Sequence, residues 1–314
     1  MQMKARTTGL AAMAIIIALL PITFPNPYYY DIADTALFNA VLCVGLNLLI
    51  GYTGQISLGH AGFFALGAYA SAILTLRWQV PPLAALLAGA VAVGALAFVI
   101  ARPILRLKGH YLAMATLGIG IIIYIVLNTE GWLTGGPDGL MADNFTVLGW
   151  KIKGDGSWYW VGGGLLLLAV WLSLNLIDSP VGRALRAVHG SEVGAEVVGV
   201  NTTHYKVLVF VVSAVFASVV GSLYAHKTGL ITPGIGSFFR SVELVTMVVL
   251  GGMASTFGAV VGAIILSVLP HVLTTFEDYE AVVLGLIMMS TMIFMPKGLV
   301  PTVMRRLRRR RAAA

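Results

Sequence analysis

The sequence predicts an all-α, polytopic membrane protein with about ten transmembrane helices, and its composition and its long apolar runs carry that prediction. Hydrophobic residues make up 58% of the 314 residues and charged residues only 11%, whereas soluble domains carry about 25% charged residues. The mean hydropathy is +0.90. This composition excludes an ordinary soluble enzyme. We expect residues 1–314 to form a single transmembrane domain.

Apolar segments separated by short polar connections define the predicted spans, since a bilayer-crossing helix needs about 20 largely apolar residues. These spans are residues 9–24, 35–51, 58–76, 82–101, 111–128, 158–177, 207–227, 241–253, 256–272 and 281–296. The eighth and ninth are alternatively a re-entrant pair. Lys4 and Arg6 precede an apolar run that resembles a signal peptide, but no clear cleavage site follows, so we expect an uncleaved first span.

Charge placement sets the predicted orientation. With the amino terminus in the cytoplasm, most basic residues fall on the inner side and most acidic residues on the outer side, as the positive-inside rule requires. The inner basic residues are Lys4, Arg6, Arg102, Arg106, Lys108, Arg183, Arg186, Lys206, Lys297 and the arginines of 305–311. The basic tail, 297–314, lacks aromatic residues among its arginines. It therefore favours lipid headgroups over nucleic acid. Both termini are predicted to be cytoplasmic.

Two connections are long enough to carry function. The outer one, 129–157, is rich in turn residues, and its segment FTVLGWKIK favours a short strand or a surface helix. It either docks an external partner or merely covers the helix ends; its length favours docking. The inner one, 178–206, begins with Ser179-Pro180, which is typical of a helix start.

Short helices in this inner segment would carry an apolar surface, formed by Val193, Ala195, Val197 and Val198. A short amphipathic element cannot bury its own apolar face. It therefore lies on the membrane or inserts into a groove of a partner.

The stretch IGYTGQISLGHAGFFALGAYA, residues 50–70, combines glycines with uncharged polar residues and carries no Lys, Arg, Asp or Glu. Such a stretch is either a close helix-packing surface or backbone that leaves the helix beside a pathway. The pathway or packing candidates are Gly51, Thr53, Gly54, Gln55, Ser57, Gly59, His60, Thr116 and Asn128. For His60 we expect a structural, hydrogen-bonded role. Ala254, Gly258 and Gly262 form a second row of small residues.

Catalytic and metal-binding signatures are missing from the sequence. The six histidines are scattered, the single cysteine, Cys43, lies in an apolar run, and no lysine follows a glycine, which excludes a GxxxxGK[ST] phosphate loop. Glu243 lies three residues after Arg240, and we expect an i,i+3 ion pair. Few charges fall inside the spans, which argues against an ion-coupled secondary transporter.

Several motifs resemble the LivM-type permease of branched-chain amino acid ABC importers. They are GYTGQISLGHAGFFALGAYA, RLKGHYLAMATLGIG, LTGGPDGL, SPVGRALRAV with SEVGAEVVGVN, LVTMVVLGGMASTFGAVVGAIIL and FMPKGLV. The resemblance covers nearly the whole chain in order. It implies an ABC importer permease fold in a bacterial inner membrane and the import of leucine, isoleucine and valine.

The resemblance also implies partners. These are a LivH-like permease, two ATPase subunits (LivG-like and LivF-like) and an extracytoplasmic substrate-binding protein, with no nucleic acid. ATP and Mg²⁺ would be held by the ATPases, and this chain would bind no cofactor and no metal. Urea, amides or other amino acids are alternative substrates, and a secondary transporter or a structural membrane protein are rival functions.

The resemblance places ATPase coupling in the inner segment, which is similar to the "EAA" loop of importer permeases. The coupling candidates are Ser191, Glu192, Gly194, Ala195, Glu196 and Gly199. The pattern departs from the usual loop in two ways, because the glutamate is displaced to Glu192 and the downstream Leu-Pro is missing.

Overall fold

The computed structural model describes residues 2–23, 26–147 and 150–272, together with isolated positions between 282 and 302. Its helices, numbered in chain order, are α1 Gln2–Thr23, α2 Pro27–Thr53, α3 His60–Trp78, α4 Pro82–Ile104, α5 His110–Thr129, α6 Gly131–Thr134, α7 Asp155–Asp178, α8 Pro180–Gly190, α9 Glu192–Val197, α10 Thr202–Thr228, α11 Phe238–Gly251 and α12 Thr256–Val272. Short strands are β1 Leu140–Met141, β2 Thr146–Val147, β3 Trp150–Lys151 and β4 Leu230–Ile231. The all-α class is confirmed.

Each predicted span from 9–24 to 256–272 coincides with one of these helices. Five helices, α2, α4, α5, α7 and α10, are long and apolar enough to cross a membrane, and the segments Arg6–Pro21 and Thr256–Val272 are shorter apolar helices. The span 281–296 lies largely outside the described residues, as does the basic run 305–311. The count of about ten transmembrane helices therefore stays a prediction.

Backbone contacts divide the chain into two compact units, each discontinuous in sequence. One comprises Met1–Asn47, Asp155–Asn175 and Thr246–Ala314, and the other comprises Leu48–Gly154 and Leu176–Val245. The second unit contains α3, α4, α5, α8, α9 and α10 whole, and it holds the candidate residues discussed below except Cys43 and the row of small residues near α12.

The second unit is built around α3 and α10, which lie close together along their length. A Cβ on Gly67 would overlap the backbone of Ser218, and one on Gly221 would overlap the Phe64 carbonyl, so both positions require glycine. Two buried hydrogen bonds join the same helices, one between His60 Nε2 and Ser213 Oγ at 2.6 Å and one between Ser71 Oγ and His226 Nε2 at 2.9 Å. Because residue numbers rise together at these two contacts, α3 and α10 run parallel.

The first unit contains a similarly close pair, α12 and the end of α11. A Cβ on Gly262 would overlap the Met247 carbonyl, and one on Gly251 would overlap the Gly258 carbonyl. The predicted row of small residues, Ala254, Gly258 and Gly262, is wrong at Ala254, because α12 begins only at Thr256. Ala254 lies in the turn before α12, with a φ of 59°, and its N–H donates to Asn47 Oδ1 at 3.0 Å.

The outer connection folds into short elements. After α6 and a 3₁₀ turn at Gly136–Asp138, β1 pairs antiparallel with β4, and β2 pairs antiparallel with β3. The pairing of β2 with β3 confirms the strand alternative for FTVLGWKIK. The pairing of β1 with β4 was not predicted, because two-residue strands carry too few side chains to show a period of two.

Candidate functional site

A break in the helical backbone separates α2 from α3. Helix α2 ends at Thr53, α3 begins at His60, and residues 54–59 (the helix break) are not helical. Gly54 has a φ of 70°, a left-handed conformation that glycine adopts without strain. Gln55 N–H then donates to Leu49 O at 3.2 Å. The glycine-rich stretch therefore leaves the helix at 54–59 and also packs closely at Gly67.

Hydrogen bonds from two neighbouring helices hold the helix break. The Leu58 N–H donates to Thr116 Oγ1 of α5 at 3.1 Å. His60 is buried, with Nδ1 at 3.1 Å from Ser57 Oγ and Nε2 at 2.6 Å from Ser213 Oγ of α10. Both ring nitrogens are thus engaged, and the expected hydrogen-bonded role of His60 is confirmed.

The remaining candidates of this stretch differ in their surroundings. Gly51 is buried within α2, and Thr53 Oγ1 donates to Leu49 O at 2.7 Å. The side chain of Gln55 is buried, yet neither amide atom has a hydrogen-bond partner among the described residues. A Cβ on Gly59 would overlap the Thr116 carbonyl. Asn128 lies at the other end of α5, about 18 Å along the helix from Thr116, so the structure does not bring it to the break.

The inner segment folds into two short helices with well-formed starts. Ser179 Oγ accepts hydrogen bonds from the N–H groups of Val181 and Gly182, at 3.1 and 3.5 Å, and Pro180 occupies the first helical position. The predicted helix start at Ser179-Pro180 is confirmed. Ser191 Oγ accepts from Gly194 N–H at 3.1 Å and begins α9 in the same way.

Helix α9 presents an apolar surface, but a smaller one than expected. Val193, Val197 and Val198 are between 65% and 81% exposed, and we call these three residues the valine surface. Ala195 is buried, so its predicted place on that surface is wrong. The i,i+4 spacing of a helix puts Val193 and Val197 on one face and turns Ala195 away from it.

Glu192 lies at the start of α9 and contacts two lysines. Its Oε1 pairs with Lys206 Nζ of α10, and its Oε2 lies 3.4 Å from Lys108 Nζ in the connection between α4 and α5. Partial burial raises the pKa of Glu192, but hydrogen bonds and charge attraction from Lys206, and then from Lys108, outweigh burial and lower the net pKa. Glu192 is therefore ionised at neutral pH.

Two further contacts fix the far end of this segment. Glu196 Oε1 accepts a hydrogen bond from Thr202 Oγ1 at 2.7 Å, which ties the end of α9 to the start of α10. Gly199 follows with a φ of 85°. The coupling candidates thus form one compact unit, in which Ser191 and Gly199 shape the backbone and the two glutamates attach it to α10.

The end of α8 lies against the helix break. A Cβ built on Gly54 would lie 3.0 Å from His189 Nδ1. Sequence reasoning missed His189, since no local pattern links it to a residue so distant in sequence.

Elsewhere, Arg240 and Glu243 form the expected i,i+3 ion pair at 2.6 Å. Within the described residues, no group of three or more His, Cys, Asp or Glu could hold a metal ion.

Comparison with known proteins adds an independent observation. Residues 29–292 match the family model described as "Branched-chain amino acid transport system / permease component". The chain is 32% identical to the high-affinity branched-chain amino acid transport system permease protein LivM of Escherichia coli K12, over 95% of this chain and 77% of that protein.

More distant relatives match most of the chain as well. The permease protein LivH of Salmonella typhimurium LT2 is 27% identical over 83% of this chain and 90% of its own length. The ribose import permease protein RbsC of Escherichia coli K12 is 28% identical over 84% of this chain and 82% of its own length. No solved structure matches the chain.

Proposed function

The chain belongs to the family of permease components of branched-chain amino acid transport systems, and from that premise we propose how it works. It is a multi-pass membrane protein and a transport subunit. We propose that it is the LivM-like subunit of an ATP-driven importer in a bacterial inner membrane. It would move leucine, isoleucine and valine inward together with a LivH-like permease.

The valine surface on α9 is the observation that carries the proposed mechanism. Val193 and Val197 of α9, together with Val198 just after it, leave most of their apolar area exposed. Burying each one on a partner contributes about 1.5–3 kcal/mol, so a protein groove is a favourable place for this helix. We propose that an ATPase subunit binds here. ATP and Mg²⁺ would sit on two such subunits, LivG-like and LivF-like, and this chain would bind neither.

The transport pathway is proposed to run beside the helix break. Breaks in transmembrane helices expose backbone groups that only protein or a water-filled cavity can satisfy. The buried side chain of Gln55, without a partner among the described residues, offers both a donor and an acceptor there. Its position supports the glycine-rich stretch as a pathway segment in addition to a packing surface.

The proposed topology has ten spans with both termini in the cytoplasm. The parallel arrangement of α3 and α10 supports it, because both helices are predicted to run from the inner to the outer side. Helix α11 has 14 residues and is about 21 Å long, which is shorter than the roughly 30 Å hydrocarbon core. Its length supports the re-entrant alternative for α11 and α12, in which eight of the ten spans would cross the membrane and both termini would still lie in the cytoplasm.

The outer connection is proposed to dock an extracytoplasmic substrate-binding protein. Its elements are ordered by β1–β4 pairing and by contacts around Trp132, whose Nε1 donates to Glu130 Oε2 at 2.8 Å and whose ring lies 5.8 Å from Arg77. An ordered surface loses little conformational entropy on binding. Substrate selectivity would then reside mainly in the external protein.

The proposed function is tested by purifying the chain in mild detergent after co-expression with its genomic neighbours. We expect an ATPase to co-purify, and we expect binding protein loaded with leucine to stimulate ATP hydrolysis. Stimulation by a different ligand, such as urea, would retain the importer and contradict the substrate. A chain that transports substrate with no associated ATPase would contradict the importer itself.

A further inference from the structure

We propose that Glu192 is a positioning residue that transmits movement of the ATPase-binding segment to α5 and α10. These are the two helices that hold the helix break. This inference rests on the proposed function, because it requires an ATPase to bind the valine surface on α9. It concerns Glu192, whose position lies about 100° around α9 from that of Val193.

The geometry gives one carboxylate two separate attachments. One oxygen pairs with Lys206, whose side chain is only 5% exposed, and the other lies 3.4 Å from Lys108, whose side chain is 67% exposed. Lys206 belongs to α10, and Lys108 lies two residues before α5 begins. A single side chain on α9 therefore contacts two elements that are distant in sequence.

The attachment to Lys206 is the permanent one. Removing one partner of a buried ion pair leaves an uncompensated charge, which is strongly destabilising. The Glu196–Thr202 hydrogen bond supports the same connection. We infer that α9 and the start of α10 move as one body.

The attachment to Lys108 is the adjustable one. An exposed ion pair contributes little to stability, so this contact forms and breaks at little cost as α9 moves. When it is formed, a displacement of α9 is carried into the connection that leads directly to α5.

Both attached helices contact the same place, the helix break. Thr116 of α5 accepts the Leu58 N–H, and Ser213 of α10 hydrogen-bonds His60. Glu192 thus acts on the break from two sides, through two short series of contacts within one compact unit. The arrangement links the ATPase-binding segment to the proposed pathway without any charge at the break itself.

The test uses the complete transporter in proteoliposomes with leucine-loaded binding protein, and it measures leucine transported per ATP hydrolysed. Lys108→Gln removes the exposed contact, and we expect at least a three-fold lower ratio with normal ATPase association. Arg106→Gln is the matched control, since Arg106 is exposed in the same connection and the charge change is identical. Lys108→Arg should restore the ratio.

A second variant distinguishes this contact from a general effect of charge. If Glu192 and Lys108 act together, adding Lys108→Gln to Glu192→Gln lowers the ratio no further than Glu192→Gln alone. A Lys108→Gln transporter with the same ratio as Arg106→Gln would overturn the inference, as would multiplicative effects in the double variant. A wild-type complex without associated ATPase would instead overturn the proposed function.

Discussion

The buried contact between Glu192 and Lys206 gives the most direct prediction about stability. Glu192→Gln keeps the size of the side chain but removes the charge that balances Lys206. Breaking a buried ion pair in this way costs about 3–5 kcal/mol. Because the Glu192 side chain is 27% exposed, we take a smaller value, about 2–3 kcal/mol, for the loss in free energy of unfolding.

The single cysteine provides the assay. Cys43 is buried, so a thiol-reactive fluorogenic dye reports unfolding of the purified chain without any added label. We expect Glu192→Gln to lower the unfolding midpoint by several degrees, since 1 kcal/mol corresponds to roughly 2–4 °C in larger domains. Glu196→Gln is the matched control, because the amide oxygen can still accept from Thr202. Its midpoint should stay close to that of the wild type.

A rescue variant tests the stated cause. Lys206→Met removes the buried ammonium, so the double variant with Glu192→Gln should recover most of the lost stability. Equal midpoints for Glu192→Gln and the wild type would refute the reasoning, as would a double variant no more stable than Glu192→Gln. The pKa of Glu192 is lower in the folded chain than in the unfolded chain. Its contribution to the free energy of unfolding is therefore fully present above the unfolded-state pKa, and it is lost only as the pH falls through the lower folded-state pKa. The effect should therefore be constant between about pH 6 and about pH 8.

Three further predictions concern the packing and the surface of the second unit. Val197→Asp should reduce ATPase co-purification at least ten-fold, because it places a charge on the valine surface. Normal membrane insertion of the variant is the control, and unchanged co-purification would contradict ATPase binding at this surface. Gly199→Ala should lower the free energy of unfolding by about 1–2 kcal/mol, because a φ of 85° disfavours a side chain. Gly190→Ala is the control, since Gly190 has an ordinary φ and open space around it. Equal unfolding midpoints for the two variants would refute this. Gly221→Ala should prevent close approach of α3 and α10 and reduce the folded yield, while Gly118→Ala, which meets nothing within 4 Å, should leave it unchanged; equal yields would contradict the packing argument.

Helix positions were predictable because the apolar runs are long and their ends carry local signals. Ser179-Pro180 shows this well, since the N-cap hydroxyl and the proline both act within their own turn. The Arg240–Glu243 pair is likewise local, because its residues are one helical turn apart. Such features depend on neighbours within about four residues, and a single sequence contains that information.

Other features depend on contacts that a single sequence does not encode. The burial of Ala195 follows from how α9 lies on its unit, and the contact of His189 with Gly54 joins residues far apart in the chain. The two lysines of Glu192 are 98 residues apart by number, at 108 and 206. Sequence reasoning placed Glu192 in the coupling segment through the family resemblance, but its role in joining α5 to α10 required the tertiary arrangement.

Polar but uncharged residues suit the role proposed for the helix break, which is to move during transport. Its supports include the hydrogen bond that the Leu58 N–H donates to Thr116 and the one between His60 and Ser213, and a neutral hydrogen bond contributes only about 0.5–1.5 kcal/mol net. Each can therefore be exchanged for another partner when α5 or α10 shifts. Charged supports would resist such exchange, because an unpaired charge at that depth is far more costly. The charges of Glu192, Lys108 and Lys206 accordingly lie outside the break, where the proposed movement would be received, and the break itself is held by neutral groups.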